Sequence, residues 1–223
     1  MPELYYQNGY LTQTKAIILA TFEDDGRSCV KFDNNIYFPQ GGGQKGDRGE
    51  ILLAGDTFRV CNTIKDPYSS GAMCVTERLV PESYVGSEAI CNLDWDFRYR
   101  QMKLHTCVHL HHCMIEAVVG SSLDNPKVSS IEDGFSFNKY PKNFIDSAIL
   151  EEANKKFFDL LRENVPVLTY PDPSRDGFRW WECVGYKIPC GGVHVCNLQE
   201  IQNVDVSKSV KKGFLTVKFT LRD

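Results

Sequence analysis

Two pairs of side chains with metal-ligating chemistry stand out in the sequence, each pair spaced four apart: His105 with His109, and Cys190 with His194. Helical positions four apart share one face, so His105 and His109 can grip a single ion from one element. The second pair is carried by Cys190-Gly191-Gly192-Val193-His194, where two adjacent glycines favour a tight loop over a helix. Neutral imidazoles together with a thiolate form a zinc-type donor set. Such a set serves metal-activated hydrolysis or a purely structural zinc knot.

For the first pair to act together, it must lie on a helix. Asp94-Trp95-Asp96 supplies the acidic start of one, and Leu104, Val108, Ile115 and Val119 recur at helical spacing before Gly120-Ser121-Ser122 ends it. His105, His109, His112 and Glu116 fall on an adjacent stripe of the same helix. A second helix is expected from Ile145 to Asn164, with Asp146 at its start and Val165-Pro166 closing it. Upstream, Tyr10 to Phe22, Cys29 to Phe38 with a turn at Asp33-Asn34-Asn35, Glu50 to Leu53 and Phe58 to Ile64 read as strands. Gly86 to Asn92 fits a strand or a helix start, and Arg78 to Tyr84 a loop. Downstream, Arg179 to Lys187, Ile201 to Val206 and Phe214 to Leu221 read as strands. The change of pattern puts a domain boundary near 92–96, with a β-rich part at 1–93 and a second part at 94–223. No internal repeat or low-complexity segment is present.

With 223 residues, 42% apolar and 24% charged, the chain has ordinary globular composition and room for one large or two small domains. No apolar run approaches the roughly 18 to 20 residues that span a bilayer. The first ten residues lack the basic and apolar stretches of a secretory signal, so a cytoplasmic protein is expected. Nine cysteines, an odd number with no Cys-x-x-Cys pair, fit reduced thiols better than a disulfide framework. A net charge of −4 argues against indiscriminate binding along a nucleic-acid backbone and leaves room for a local basic surface.

Other chemistries are weaker. In Phe38-Pro39-Gln40-Gly41-Gly42-Gly43-Gln44-Lys45-Gly46-Asp47-Arg48-Gly49, residues Gly41, Gly43 and Gly46 satisfy G-x-G-x-x-G. Glu50-Ile51-Leu52-Leu53 then reads as a strand, where dinucleotide binding needs a helix N-terminus. Lys45 lacks the frame of a phosphate-binding P-loop. Thr106 stands where a zincin protease needs its Glu. Cys190 with His194 would also make a nucleophilic dyad, for which the sequence offers no orienting third group. His111 and His112 are expected to be uninvolved, with His112 on a solvated side of the helix.

These residues carry a family resemblance. Asp94-Trp95 to Arg98, Met102 and His105-Thr106 to His109-Leu110 resemble the first metal motif of the alanyl-tRNA synthetase editing domain. Pro189-Cys190-Gly191-Gly192-Val193-His194-Val195 with Glu200-Ile201 resembles the second, where the family usually has Thr at the position of Val193. The Gly-rich segment from Phe38 to Gly49 resembles a third motif of the same proteins. All three occur in family order across nearly the whole chain without an aminoacylation domain. The chain is therefore similar to the free-standing editing proteins called AlaX, of the medium-length type.

The resemblance implies an α+β fold: a small N-terminal β-barrel-like domain, then a two-layer α/β editing domain of the alanyl- and threonyl-tRNA synthetase type. It implies Zn2+ held by His105, His109 and Cys190, with His194 either the fourth ligand or a weaker group just outside the coordination shell, and the ion positioning or activating a water against an aminoacyl ester. The implied reaction is trans-editing: deacylation of serine mischarged on an alanine-accepting tRNA, with glycine as a further substrate. Serine on a threonine-accepting tRNA, or a non-catalytic zinc-stabilised tRNA-binding module, are the alternatives. A synthetic pocket for alanine rejects an added hydroxyl by only about a hundredfold in a comparable case, which is why a second, hydrolytic site is needed. Gln44 is the candidate for recognising the serine hydroxyl, because its amide both donates and accepts. Asn35 stands in a stretch where the family usually has Thr, and so bears on the shape of the amino-acid pocket. Arg98, Arg100 and Lys103 at the helix start, and Lys208, Lys211 and Lys212 near the C-terminus, are the candidate tRNA contacts.

Overall fold

The structure, a computed structural model, describes residues 3–68, 71–141 and 145–222. It divides into two compact units, one of residues 1–41 and 45–98, the other of residues 42–44 and 99–223.

The first unit opens with a single helical turn, α1 (Leu4–Gln7), and is otherwise a closed six-stranded barrel. Its strands are β1 (Gln13–Asp24), β2 (Arg27–Phe32), β3 (Gly49–Leu53), β4 (Asp56–Lys65), β5 (Ala72–Thr76) and β6 (Glu88–Leu93), in the spatial order β1-β2-β5-β4-β3-β6. Closure depends on two bent strands. β1 pairs with β6 through its first half and with β2 through its second, with a register shift between Ile18 and Ala20. β4 divides itself likewise between β3 and β5, with a shift between Val60 and Asn62. Bulges of this kind bend and twist a strand enough to turn a barrel corner. Ile18, Val30, Ile51, Phe58, Val60 and Cys91 fill the interior. The expected strand from Cys29 to Phe38 stops at Phe32, because Asp33 and Asn35 turn the chain: Asp33 accepts from the Ile17 amide and Asn35 from the Tyr37 amide.

Arg98 is a correction to its expected place on a tRNA-binding surface. Its side chain is fully buried, ion-paired with the equally buried Asp47, and donates to the carbonyls of Gly9 (2.9 Å) and Ile36 (2.8 Å). Burial pushes the Asp47 carboxyl up against the lowering pull of Arg98. Each of its three nitrogens donates within the barrel unit, so Arg98 is a tie there.

The long helix α2 (Trp95–Val119) begins as expected, with Asp94 capping the Phe97 amide at 3.1 Å, and ends at Gly120, whose φ of +76° only glycine adopts readily. In the second unit follow β7 (Val128–Ile131), β8 (Phe135–Pro141), α3 (Ser147–Leu161), β9 (Leu168–Pro171), β10 (Arg179–Cys183), β11 (Tyr186–Pro189), β12 (Val204–Lys211) and β13 (Phe214–Leu221). Asp146 caps α3 by accepting from the Ile149 amide. The strand expected from Arg179 to Lys187 is a hairpin, because Val184 and Gly185 both take positive φ and reverse the chain. Strands β12-β13-β8-β7 form one sheet and β11-β10-β9 another. Ser136 and Asn138 of β8 donate to the Leu104 and Val108 carbonyls of α2, which ties the helix to the four-stranded sheet. All nine cysteines are free thiols, six of them buried.

Candidate metal centre

Within the second unit, α2 presents His105 and His109 one turn apart, and the loop leaving β11 presents Cys190 and His194. Their ligand atoms all lie within 4.8 Å of one another, with His105 and His194 buried and His109 and Cys190 partly exposed. The partial exposure of His109 does not extend to its Nε2, which is buried.

Neighbouring groups decide which nitrogen of each ring points inward. The Nδ1 of His105 lies 2.8 Å from the Gln44 Oε1, an acceptor, so His105 carries its proton on Nδ1 and leaves Nε2 bare. That bare nitrogen faces the Cys190 Sγ at 3.5 Å. Thr106 spends its single proton on the Met102 carbonyl at 2.9 Å, so at 3.1 Å from the His194 Nδ1 it acts as acceptor. His194 is thereby fixed as the Nδ1–H tautomer, with Nε2 aimed at the Cys190 Sγ, 3.3 Å away. The His109 Nε2 is buried without a hydrogen-bond partner among the described residues. The unprotonated nitrogens of His105 and His194 and the unpartnered His109 Nε2 thus converge with the Cys190 sulfur.

Burial, then the neighbouring imidazoles, holds His105 and His194 well below the usual imidazole range. His109 is lowered to about 3 by burial first and His112 second. All three are neutral, the form that binds metal. Burial also raises Cys190 to about 11, while the Gly192 amide donating to its sulfur pulls the other way. A dry thiol of that kind is a poor nucleophile and becomes a thiolate when a cation binds it.

Two of the six donor separations match a tetrahedral ion, and all six lie within 4.8 Å. Bonds of about 2.0 to 2.3 Å place tetrahedral donors about 3.3 to 3.8 Å apart, and both sulfur–nitrogen separations, 3.5 and 3.3 Å, lie in that range. His194 is placed among the donors as closely as His105.

The Gly-rich segment supports this arrangement from one side. The Gly43 carbonyl accepts from the Ile131 amide at 2.8 Å, and Gln44 forms an isolated bridge with Ile131. So anchored, the Gln44 Oε1 accepts from both His105 and the Val193 amide (3.2 Å), while its Nε2 is buried without a partner among the described residues. At Gly192 any Cβ would come within 2.1 Å of the His105 ring, which explains the second glycine of the loop. Trp181 walls the cluster, its ring 5.3 Å from His109 and 6.1 Å from His194.

The remaining sequence candidates lie elsewhere. Asn35 belongs to the barrel unit, where its amide both donates to and accepts from the Tyr37 backbone. Arg100 pairs with Asp133, Lys103 lies over the Tyr99 ring, and Lys208 donates to Ser147. Lys211 and Lys212 are exposed at the β12–β13 turn. His111 is a core residue bonded to Asn154 at 2.8 Å. His112 is not on a solvated side: it is 6% exposed and stacked on Tyr140. Sequence reasoning missed Thr106 as a supporting residue, although an oxygen one position after a ligand, in mid-helix, was the available signal.

Comparison with models of protein families finds no match. The chain is 30% identical over 224 residues to the alanyl-tRNA editing protein AlaX-M of Pyrococcus horikoshii, covering 95% of this chain and 92% of the relative. It is 25% identical to AlaX-M of Methanosarcina barkeri over 94% of this chain and 93% of the relative. A shorter stretch of 121 residues, 54% of this chain, is 33% identical to the alanine–tRNA ligase of Pyrobaculum neutrophilum and covers 13% of that enzyme. Full-length likeness to the free-standing proteins, and partial likeness to the synthetase, place the chain in the AlaX family of alanyl-tRNA editing proteins.

Proposed function

We propose that this chain, an aminoacyl-tRNA deacylase by its family, acts in trans on alanine-accepting tRNA and hydrolyses the ester of mischarged serine, with glycine a further substrate. The observation that carries the reading is the convergence of three imidazoles and the Cys190 sulfur within 4.8 Å of one another at a largely buried site. His105, His109 and His194 through Nε2, and Cys190 through Sγ, would hold the ion, which we take to be Zn2+ because imidazoles and a thiolate at tetrahedral spacing suit it. When bound, such an ion supplies Lewis-acid polarisation and lowers the pKa of water from 15.7 to about 7.

The protein's own contributions are positional. Thr106 and Gln44 fix two imidazoles in the ligand tautomer before any ion arrives. Trp181 and Val193 exclude water around the cluster, both being buried. Gln44 divides its amide between two tasks. Its Oε1 holds His105 and the Val193 amide, and its unpartnered Nε2 is the donor for the serine hydroxyl oxygen. Alanine would leave that buried donor unpaired, a loss of about 1 to 3 kcal/mol, so this contact favours serine over alanine.

Hydrolysis of seryl-, glycyl- and alanyl-tRNA(Ala) and of seryl-tRNA(Thr) by the purified protein tests the reading. Loss of the seryl ester on tRNA(Ala), with the alanyl ester spared, is the expected pattern. Equal persistence of every ester would exclude it, and cleavage on tRNA(Thr) alone would transfer the activity to the other tRNA.

A further inference from the structure

The four-stranded sheet of the second unit has two dissimilar faces. Towards α2 it turns Ser136, Asn138, Tyr140, Leu215, Val217 and Phe219, all buried. Strand alternation sends the intervening residues to the opposite face, which carries Phe135, Phe137 and Lys139 of β8, Phe214 and Lys218 of β13 and Lys211 of β12. All six are partly or fully exposed. The single carboxylate at an outward position of the four strands, Asp205, is bonded to Arg222. A second carboxylate, Glu132 of the β7–β8 turn, bonds Ser130 at the end of this face. Among the described residues Lys139, Lys211 and Lys218 have no ion pair, so in a chain of net charge −4 the face sets lysines among aromatic rings. The Lys218 ammonium lies 4.1 Å from the Phe135 ring centre and that of Lys139 lies 4.6 Å from Phe214.

The face ends at the sheet edge next to the metal cluster, which itself lies on the α2 side. Across the sheet Lys218 stands opposite Phe137, and Phe137 opposite Ser130 of β7. At that edge the Ile131 amide bonds the Gly43 carbonyl, Gly42 and Gly43 are exposed, and Gln44 touches His105. A strand of nucleic acid lying over β13, β8 and β7 would reach the cluster by turning round this glycine edge.

We propose that this open sheet face binds the unpaired 3′-terminal nucleotides of the tRNA whose ester is cleaved at the cluster, an inference that rests on the tRNA reading above. Bases stack on Phe135 and Phe137, and phosphates are neutralised by Lys139, Lys218 and Lys211. Single-stranded RNA is bound in this way elsewhere, by exposed aromatics on a sheet flanked by cations, because every base has a stacking face and every nucleotide a negative charge. Four strands span about 14 Å at roughly 4.8 Å per step, room for two or three nucleotides. The lysine heads resting on Phe135 and Phe214 are weakly held at an exposed site and are free to exchange a ring for a phosphate.

The test is fluorescence anisotropy at fixed salt with two labelled RNAs, an acceptor stem bearing its unpaired 3′ end and the same stem cut blunt. The double variant Lys139→Glu/Lys218→Glu should bind the first RNA about tenfold or more weakly and lower the salt dependence by about one unit per lysine. Lys155→Glu/Lys156→Glu, on the exposed side of α3, makes the same change in net charge and should alter affinity less than about twofold. Phe137→Leu keeps an apolar side chain without a ring, and should cost about fivefold for the RNA with the unpaired end and nothing for the blunt stem. Equal losses for the two lysine pairs, or equal losses for the two RNAs with Phe137→Leu, would overturn the proposal. Deacylation is scored separately: a wild-type protein that binds the unpaired end but leaves the seryl ester intact refutes the proposed activity, and the binding face stands.

Discussion

Two buried polar clusters, one in each unit, are built on opposite terms. In the barrel unit Asp47 and Arg98 meet in full burial, and the remaining guanidinium donors reach the carbonyls of Gly9 and Ile36. Charge is matched by charge, and all three guanidinium nitrogens have acceptors. In the second unit the buried groups are three imidazoles and a thiol, with protons drawn outward to Gln44 and Thr106 and bare atoms facing one another. A buried polar cluster that satisfies itself holds a fold together, whereas one whose lone pairs converge can receive a cation. The same burial that makes the first cluster costly to break keeps the second neutral and receptive.

That contrast can be broken at either end. Arg98→Met leaves the Asp47 carboxylate buried and alone and should cost about 3 to 5 kcal/mol in chemical denaturation, with much of the loss recovered by adding Asp47→Leu. A double variant no more stable than the single would show that the pair does not stand alone energetically. Cys190→Ala should reverse the pattern, lowering zinc affinity by at least about 100-fold, beyond what losing a supporting group costs. Competition against a chelator measures it, and unchanged affinity would remove Cys190 from the donor set.

His111 offers an intermediate case, a buried imidazole outside the cluster. Burial lowers it to about 4 against the raising effect of Asn154, so the unfolded chain binds a proton below about pH 6.5 that the folded chain refuses. Stability from this group is present above pH 6.5 and falls as pH drops towards 4, by about 2 kcal/mol at pH 5. His111→Leu should flatten that part of the stability curve between pH 7 and 5, and an unchanged slope would contradict the assignment. The smallest effect is expected from Thr106→Val, which frees the His194 tautomer. Zinc affinity should fall about tenfold and nitrogen NMR of the metal-free protein should show mixed His194 tautomers. A single Nδ1–H tautomer in the variant would mean that Thr106 does not set it.

The site was more legible than the sheet that supports it. The four ligand positions follow from spacing and residue type, because a helix turn and a glycine loop are local devices that short sequence windows display. The barrel strands β1, β3 and β4 were visible through their apolar alternation, while the short β5 was not. β8 was hidden for a physical reason. Its inward residues Ser136 and Asn138 are polar because they bond the carbonyls of α2, and its outward residues Phe135 and Phe137 are aromatic, so the usual pattern is inverted. Arg98 was misplaced because an arginine near a helix start reads as surface, and its partner Asp47 lies far away in the sequence. Nothing local announces such a pair. Thr106 escaped notice because its role is to hold another residue's proton.

The most direct test of the account is deacylation of seryl-tRNA(Ala), beside alanyl-tRNA(Ala), by protein stripped of metal and then reloaded with one equivalent of zinc. The account predicts that stripping abolishes seryl ester loss, that zinc restores it, and that the alanyl ester survives throughout. Undiminished hydrolysis by fully stripped protein, or restored hydrolysis that takes both esters alike, would contradict it.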